Sequence, residues 1–387
     1  MKRRFNVTGS CIPERHYMVR LEERLRKIKE EFVDTGSYFV INRGRQYGKT
    51  TTLDALKTYL QEDYIVLSLD FQQIATEDFA DAQSFVRAFA EVLMETLEIS
   101  GFCGIKELTG PLEELLQKSQ NRLKDLFASL SMMCKNSPRP VVLMIDEVDS
   151  ASNNQVFIDF LALLRAYYLK REERAAFHSV ILAGVYSIKN LKLKLRPESE
   201  HQYNSPWNIA ADFNMDFSFS PVQIEGMLAE YEQDYHTGME LQAVAKEIYA
   251  YTSGYPVLVS LICKHLAKMA AEGSYFTEPE RAWSKEGIER AVGMILKEST
   301  LLFENMAKQL DTYKALYKIV EDILYCGKRI PFSMEENAIN LGVMFGFIKE
   351  ENGHVAIANR MFEMCLLNLF MAREAIDSDV YTQGGID

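Results

Sequence analysis

A glycine-bearing loop between a short β-rich run and a helical run is the sequence feature that most constrains the fold. The segment SYFVINRGRQYGKTTTLDALKTYL occupies residues 37–60. In such a segment the backbone N–H groups of the loop and the start of the helix can point at phosphate oxygens. Gly48, Lys49 and Thr50 provide the close backbone approach, the positive charge and the hydroxyl that this chemistry requires. The segment therefore predicts a strand, a phosphate-binding loop and a helix in succession.

This loop departs from the usual pattern at its first glycine. Glycine, four residues and Gly-Lys-Ser/Thr would place a glycine at position 43, whereas the chain has Arg43 followed by Gly44. The first glycine forms the entry turn, so the shift alters the shape of the loop more than its chemistry. Arg43 would be strained if that turn required a positive φ. The residues expected to contact a nucleotide here are Gly44, Arg45, Gln46, Tyr47, Gly48, Lys49, Thr50 and Thr51.

An apolar strand that ends in two carboxylates supplies a second motif, about a hundred residues downstream. Val141 to Ile145 are five consecutive apolar residues, and Asp146 and Glu147 follow them. Asp146 is expected to hold Mg²⁺ together with Thr50, because hard cations prefer oxygen ligands. Glu147 is expected to act as the catalytic base for an attacking water, while Lys49 assists catalysis at the phosphates.

Strands and helices alternate along the first half of the chain. Apolar runs at residues 64–71 and 178–187 predict further strands, with helical periodicity between them. The fold class is therefore α/β, with a parallel sheet covered by helices on both faces. Sheets of this kind bind their ligands at the carboxyl ends of the strands.

The composition indicates a globular protein of two or three domains, since 48% of its 387 residues are hydrophobic. No apolar run approaches the roughly 18 residues of a membrane-spanning helix, and no apolar signal core follows the basic start. We therefore expect a cytoplasmic protein without a membrane partner. The six cysteines are scattered and are expected to be reduced, and the net charge of −12 argues against broad nucleic-acid binding.

Five motifs together resemble the AAA-like ATPases of bacteria and archaea, close to the signalling ATPases whose lid carries a Gly-x-Pro motif. They are GRQYGKTT, VVLMIDEVDS, SVILAGVYSIKNL, SPWNIA and TSGYPVLVSLIC, and the resemblance spans roughly residues 5 to 370. It implies a P-loop NTPase sheet with the strand order 5-1-4-3-2, in which the strand after Asp146 lies between the two motif strands. A helical lid would follow the sheet. The implied cofactors are ATP and Mg²⁺.

The resemblance also implies roles for residues outside the first two motifs. Ser187 is the nearest match to a polar sensor at the end of a strand. Gly254-Tyr255-Pro256 matches the lid motif near the adenine and phosphates, although an ordinary helix stop and start would also explain it. Tyr17 and Met18 match the strip that contacts the adenine base, with core packing as the alternative.

Three features keep two interpretations each. Arg165, on the helix after the carboxylate strand, is the candidate arginine finger, but Arg171 and Arg174 are nearby and a solvated helix face is the alternative. Asp149 fits a helix cap as well as a role near the metal. The basic run KNLKLKLRP at 189–197 could bind a phosphate backbone, but it lacks interleaved aromatic residues, which favours a solvated loop.

The last part of the chain predicts a winged-helix-like module. A helical run at 310–327, a short strand RIPF at 329–332, a second helical run at 333–347 and two strands around Asn352-Gly353 follow one another in that order. Between Thr300 and Ala375 there are eight basic and ten acidic residues, and the hairpin tip KEENGH is itself acidic. Since non-specific DNA affinity comes mainly from neutralised phosphates, DNA is disfavoured as a partner. Docking on the ATPase, on a protein partner or on a second copy is expected instead.

These observations give a predicted organisation and two candidate functions. The expected parts are an ATPase domain at 1–220, a helical lid at 221–300, the winged-helix-like domain at 301–375 and a flexible tail at 376–387. The favoured function is an ATP-binding, Mg²⁺-dependent ATPase that acts as a nucleotide-driven conformational switch. The alternative is an ATP-dependent DNA-binding clamp of the origin-recognition type.

Overall fold

The chain divides into two units, which we call the sheet unit and the helical unit. The computed structural model describes residues 2–99, 105–151, 154–185, 207–273 and 275–377. The sheet unit contains Leu21–Arg43 and Lys49–Met215, and the helical unit contains Met1–Arg20, Gly44–Gly48 and Asp216–Asp387. The division into three domains and a tail that was expected from the sequence stays a prediction.

Eight strands and fifteen α-helices are defined among the described residues. The strands are β1 Arg4–Phe5, β2 His16–Tyr17, β3 Tyr38–Asn42, β4 Ile65–Asp70, β5 Val141–Asp146, β6 Ser179–Gly184, β7 Ile348–Glu351 and β8 His354–Ile357. The helices of the sheet unit are α1 Glu22–Ile28, α2 Lys49–Leu60, α3 Ala82–Ile99, α4 Ile105–Leu116, α5 Leu123–Asn136 and α6 Gln155–Leu169. Those of the helical unit are α7 Pro221–Tyr235, α8 Leu241–Thr252, α9 Pro256–Glu272, α10 Pro279–Ala282, α11 Lys285–Ile295, α12 Leu301–Thr312, α13 Lys314–Cys326, α14 Asn337–Phe345 and α15 Arg360–Asp377.

A parallel sheet with the order β3-β6-β5-β4 forms the centre of the sheet unit. This confirms the α/β fold class, and β6 lies between the two motif strands as the resemblance implied. The described residues contain four of the five strands in the implied order. On the outer side of β3, Phe39 makes an isolated parallel bridge to Ala211, where the fifth strand was expected.

Helices cover both faces of the sheet. Every residue of the central strands β5 and β6 is therefore buried. Successive side chains of a strand point to opposite faces, so two apolar layers are needed. One layer packs residues of β5, such as Leu143 and Ile145, with α3, α4, α5 and α6. Phe160 of α6 lies within it, with ring centroids 5.0 Å from Phe89 and 5.4 Å from Phe127. On the other face, helix α2 packs against β4 and β5.

The helical unit begins with β1 and β2, which pair in parallel, includes the loop residues 44–48 and resumes at Asp216. The Ser220 hydroxyl accepts the N–H of Gln223 while the Gln223 side chain accepts the N–H of Ser220, so α7 starts at a capping box. Helices α7 to α11 occupy the segment in which the sequence predicted a helical lid.

The C-terminal segment contains the elements that the sequence predicted, with two differences. The helix expected to run from residue 310 to 327 is interrupted at Tyr313, which ends α12 and precedes α13. The expected strand RIPF contributes only a bridge between Pro331 and His354. The β7–β8 hairpin turns at Asn352 and Gly353, with φ of 52° and 78°, as a two-residue turn requires. The interpretation of this segment as a winged-helix module stays a prediction.

Candidate functional site

Lys49 lies at the start of α2, where its ammonium group reaches back to the preceding loop. Its Nζ donates a hydrogen bond to the carbonyl of Arg43 at 3.0 Å, and only 7% of the residue is exposed. Burial removes hydration from a charged ammonium group, and nearby negative charge offsets that loss. An anion that enters at this point would supply more of that charge than a neutral carbonyl can.

Asp146 ends β5 and contacts the helix that begins with Lys49. Thr50 Oγ1 donates to Asp146 Oδ2 at 2.7 Å, and the N–H of Glu147 donates to Asp146 Oδ1 at 2.8 Å. Burial raises the pKa of the Asp146 carboxyl, while Thr50, the Glu147 N–H and Lys49 lower it and Asp70 raises it further. The carboxylate is therefore poorly hydrated, and added positive charge would stabilise it.

The oxygens of Thr50 and Asp146 fit a magnesium ion. Neighbouring ligands of an octahedral Mg²⁺ are separated by about 2.9 Å, given metal–oxygen distances of about 2.0–2.1 Å. The 2.7 Å between these two oxygens is close to that value. Among the described residues, no group of three His, Cys, Asp or Glu side chains could hold a metal alone. Mg²⁺ is commonly held by one or two protein oxygens plus phosphates, so this donor set is appropriate.

Glu147 follows β5 with a left-handed backbone. Its φ is 53°, which is uncommon for a residue with a long side chain. The Ser150 N–H and hydroxyl both donate to the Glu147 carbonyl, at 3.0 and 2.9 Å, and fix the turn. Backbone strain of this kind persists where the surrounding structure holds it and is frequent at functional sites.

Asp149 does not take the helix-cap role considered from the sequence, and a role near the metal stays a prediction. Its Oδ2 accepts the N–H of Val185 at 2.5 Å, just after β6. Helix α6 instead starts after Asn154, so Asp149 does not cap it. A Cβ at Gly184 would lie 2.9 Å from Asp149 Oδ1, so the glycine makes room for this contact. Asp149 thereby ties the turn after β5 to the end of β6.

Two further residues lie at the same edge of the sheet and were not predicted from the sequence. Asp70 ends β4 and is the register partner of Asp146. Asn42 ends β3 opposite Gly184, and its Oδ1 is buried with no hydrogen-bond partner in the described chain. The available signal was a polar residue directly after each apolar run. It becomes informative only when the strand order places the ends together.

Arg43 holds the entry to the loop without backbone strain. Its φ is not positive. In this loop, positive φ angles occur at Gln46, with 59°, and at Gly48, with 80°. The strain considered for Arg43 therefore does not arise. Its guanidinium group donates to the carbonyl of Asn42 at 2.6 Å and to that of Met215. Arg43 thus joins the end of β3 to a later segment of the sheet unit.

The absence of a side chain at Gly44 lets the loop backbone approach the C-terminal end of α14 closely. A Cβ at Gly44 would lie 2.5 Å from the carbonyl oxygen of Phe345, the last residue of α14. Gly44 and Phe345 both belong to the helical unit, as do the remaining loop residues up to Gly48. The shifted glycine of the motif is therefore explained by packing against the C-terminal segment.

Tyr255 contacts the same loop residues from just before the head of α9. Its hydroxyl donates to the carbonyl of Arg45 at 2.7 Å, and its ring packs edge-on against Tyr47 with centroids 4.6 Å apart. The Tyr47 hydroxyl also makes a 2.6 Å hydrogen bond with Ser218. Burial raises the pKa of Tyr255, which keeps its hydroxyl protonated as a donor.

Gly254 and Pro256 provide the geometry around Tyr255. Gly254 has φ 75°, and a Cβ there would lie 2.1 Å from the carbonyl oxygen of Phe219. Pro256 is the first residue of α9, where a missing N–H costs nothing. The triplet is thus a helix start that also places a tyrosine on the loop.

Tyr17, Met18 and Thr51 are the remaining residues that were predicted to contact the nucleotide. Tyr17 is 1% exposed, its hydroxyl donates to Asp234 at 2.6 Å, and its ring packs against Phe5 and Tyr231. This is the core-packing alternative, and Met18 beside it is half-buried. An adenine contact for Tyr17 or Met18 stays a prediction. Thr51 lies in the first turn of α2.

Arg165 lies ten residues after the start of α6, about 15 Å along the helix axis. Near the end of that helix, the Tyr168 ring packs 4.5 Å from Tyr38 at the start of β3. Helix α6 therefore leads away from the carboxyl edge of the sheet. Arg165 Nε is buried without a hydrogen-bond partner among the described residues. Arg171 donates to the carbonyl of Gly36 at 2.8 Å. The finger role of Arg165 stays a prediction.

Several predicted features lie outside the described residues. They are the sensor candidate Ser187, the basic run at 189–197 and most of the predicted tail at 376–387. Within the described part of the chain, no helix combines the length and apolar character needed to cross a membrane.

Comparisons with known proteins give a family and a fold. A family model described as an AAA-like domain matches residues 11–364. A Walker-type ATPase of Pyrococcus abyssi is similar over 94% of this chain and 99% of that chain, with a TM-score of 0.60 and 14% sequence identity. The Orc2 protein of Aeropyrum pernix is similar over 96% and 97%, with a TM-score of 0.43 and 12% identity. The RuvB branch migration motor of Thermotoga maritima is similar over 89% and 93%, with a TM-score of 0.39 and 13% identity. No curated protein sequence matches the chain.

The conformation at position 254 leads to a stability prediction. Gly254→Ala should lower the free energy of unfolding by about 2 kcal/mol or more, because a left-handed alanine alone costs about 1–2 kcal/mol and its Cβ would overlap Phe219. Gly293→Ala is the matched control, since a Cβ at this position inside α11 would have no atom within 4 Å. The control should be neutral or stabilising by up to about 1 kcal/mol. Urea unfolding followed by circular dichroism measures both, and equal effects would contradict the role of Gly254.

Proposed function

The chain belongs to the AAA-like domain family, and we propose that it binds ATP with Mg²⁺ and hydrolyses it as a nucleotide-driven conformational switch. Its fold is that of P-loop ATPases, which points to nucleotide binding and hydrolysis in general. The observation that carries the proposal is the contact of Thr50 with the buried Asp146, one residue after the buried Lys49. This places a hydroxyl, a carboxylate and an ammonium group at the carboxyl edge of the sheet.

Each of these groups has a role at a triphosphate. Lys49 exchanges the Arg43 carbonyl for phosphate oxygens, which offer the negative charge that the carbonyl lacks. Thr50 and Asp146 hold the metal through the two oxygens that now share a hydrogen bond. When bound, Mg²⁺ neutralises charge on the phosphate oxygens. The buried setting strengthens these interactions, because the effective dielectric constant is lower than in water.

Glu147 is the proposed base for hydrolysis. It directly follows the proposed metal ligand Asp146, and its turn is fixed by Ser150. A carboxylate at this place takes a proton from the attacking water, whereas an amide of the same shape cannot. Replacing the Glu147 carboxylate by an amide should therefore affect hydrolysis and leave ATP binding intact.

The switch proposal is supported by contacts within the helical unit. Loop residues 44–48 contact Tyr255 at the start of α9 and Phe345 at the end of α14. Tyr255 also packs against Phe362 of α15, with centroids 5.2 Å apart. A change in the loop backbone on phosphate binding would therefore alter contacts with three helices at once.

The charge of the C-terminal hairpin supports a switch more than a DNA clamp. Lys349 in β7 lies 3.3 Å from Glu351, so its charge is already compensated. Glu350 accepts the N–H of Gly353 at the hairpin turn and adds a further negative charge. A phosphate backbone would meet repulsion there.

Replacing the loop lysine tests nucleotide binding. Lys49→Ala should weaken ATP binding by about a hundredfold or more, since a hydrogen bond to a charged group contributes up to about 3 kcal/mol. Lys57→Ala, in the last turn of the same helix, is the matched control and should bind normally. Titration of a fluorescent ATP analogue gives both affinities. Unchanged affinity of Lys49→Ala would remove the site from this loop.

Replacing the proposed base tests hydrolysis separately from binding. Glu147→Gln should keep ATP bound while the turnover rate falls by about 10²–10⁴, the usual contribution of a general base. Glu173→Gln, at an exposed position after α6, should retain the normal rate. Asp146→Ala should instead weaken the Mg²⁺-dependent part of ATP affinity. A phosphate-release assay decides the point, because normal turnover by Glu147→Gln would require a different base.

The switch depends on the contact between Tyr255 and the loop. Tyr255→Phe removes the hydrogen bond to Arg45 and keeps the ring, so ATP should still bind. The ATP-dependent change in amide exchange of α14 should fall by about fivefold, the equivalent of one hydrogen bond of about 1 kcal/mol. Tyr249→Phe is the control, since Tyr249 is 38% exposed on α8. An undiminished response in Tyr255→Phe would exclude this contact as the route.

A further inference from the structure

The helical unit contains a cavity that the proposed ATPase chemistry does not use. Its volume is about 350 Å³, and it lies between β1, the end of α7 and the second half of α9. Residues that line it include Arg4, Phe5, Tyr231, Tyr235 and Lys264. This volume is at the small end of the range of pockets that bind small molecules, about 300–1,000 Å³.

An aromatic cluster forms one wall of the cavity. Phe5 lies 5.1 Å from Tyr17 and 5.2 Å from Tyr231, measured between ring centroids. Tyr231 and Tyr235 stack at 4.5 Å with their planes 18° apart. Tyr235 is 39% exposed, and the Lys2 ammonium lies 5.2 Å from its ring centroid, so the stack ends at a ring beside a flexible cationic side chain. A planar apolar group can extend this stack.

Uncompensated positive charge lies around the aromatic wall. Arg3 is already paired with Glu230 at 2.6 Å and with Asp234 at 3.0 Å. Lys268 is near Glu272 at 3.8 Å. In contrast, Arg4 and Lys264 line the cavity and are exposed, and neither has a carboxylate within 4.0 Å among the described residues.

The shape of α9 makes room for a ligand beside these charges. Lys264, Lys268 and Ala271 follow one another at four- and three-residue spacing and therefore lie on one face of the helix. Ala267 and Ala271 also line the cavity, and neither has a side chain long enough to fill the space. The face is thus open next to two lysines.

The cavity is distinct from the proposed nucleotide contacts of the lid. Lys264 and Ala271 lie eight and fifteen residues after Pro256, about 12 and 22 Å along the helix axis. The contact of Tyr255 with the loop is at the head of the same helix. A ligand in the cavity would therefore occupy the opposite end of α9.

We propose that this cavity binds a small aromatic anion. Its planar body packs against the Tyr231–Tyr235 stack and the alanine face of α9, and its negative group lies between Lys264 and Arg4. The positive charge selects anions, and the aromatic wall selects those with a planar ring.

Fluorescence titration with anilinonaphthalene sulfonate tests the anion-binding part of this inference. The probe should bind saturably to the full chain, and the neutral phenylnaphthylamine should bind more weakly. Lys264→Ala should lower the affinity for the sulfonate probe by about fivefold, which corresponds to the upper range of the energy of an exposed ion pair. Lys246→Ala on α8 is the matched control, because Lys246 is exposed on the same unit and does not line the cavity. Equal losses of probe affinity in the two variants would contradict the proposal that Lys264 binds the negative group of the ligand.

Filling the cavity tests its location. Ala271→Phe should abolish saturable binding of the probe, whereas Ala250→Phe at an exposed position of α8 should retain it. Binding that survives Ala271→Phe would place the probe elsewhere and overturn the proposal. Circular dichroism of both variants shows whether the fold is retained, and Lys264→Ala gives an independent result that requires no added bulk.

Lys49→Ala and ATP competition together distinguish probe binding in the cavity from probe binding at the nucleotide site. Probe affinity should be unchanged in Lys49→Ala and in the presence of saturating ATP. Displacement of the probe by ATP in the unsubstituted chain, lost in Lys49→Ala, would show that the probe occupies the nucleotide site and would overturn the cavity proposal. Failure of the ATPase proposal alone would leave the probe titration unaffected.

Discussion

The parallel direction of β3, β4, β5 and β6 is the constraint on which the candidate site depends. Parallel strands bring all their carboxyl ends to one edge, so Asn42, Asp70 and Asp146 lie along the same edge although they are far apart in the chain. Full burial of β5 and β6 fixes that arrangement, because the apolar side chains of both faces must be covered. The polar groups at the edge can then be poorly hydrated without unfolding the sheet beneath them.

The phosphate-loop motif is shared between the two units. Lys49 and Thr50 start a helix of the sheet unit, while residues 44–48 pack with Tyr255 and Phe345 of the helical unit. The displaced glycine of the motif is part of that packing, since a side chain at position 44 would overlap a backbone carbonyl. The left-handed angles required by the loop fall at Gln46 and Gly48 instead. The proposed phosphate chemistry and the contacts with Tyr255 and Phe345 thus belong to one continuous stretch of chain.

The helix α9 carries two different environments. Its start adjoins the buried Tyr255, and its second half presents lysines and alanines to a cavity beside an aromatic stack. These ends are linked by a continuous helix without an internal proline, the commonest cause of a sharp kink. The loop contact and the cavity therefore lie at opposite ends of one continuous helix.

The sequence alone determined the four described strands of the central sheet, the two motifs and the family, because each depends on local patterns of apolar spacing, glycine and charge. It located Lys49, Thr50, Asp146 and the turn at Asn352-Gly353, since these residue types have few structural alternatives in their local context. Only the tertiary structure decided which residues are neighbours. It joined Asp149 to β6, placed Asp70 beside Asp146, buried Tyr17 among aromatic rings and gave Gly44 its purpose against Phe345. The physical reason is that a contact between distant segments depends on strand order and helix packing, which local patterns do not encode.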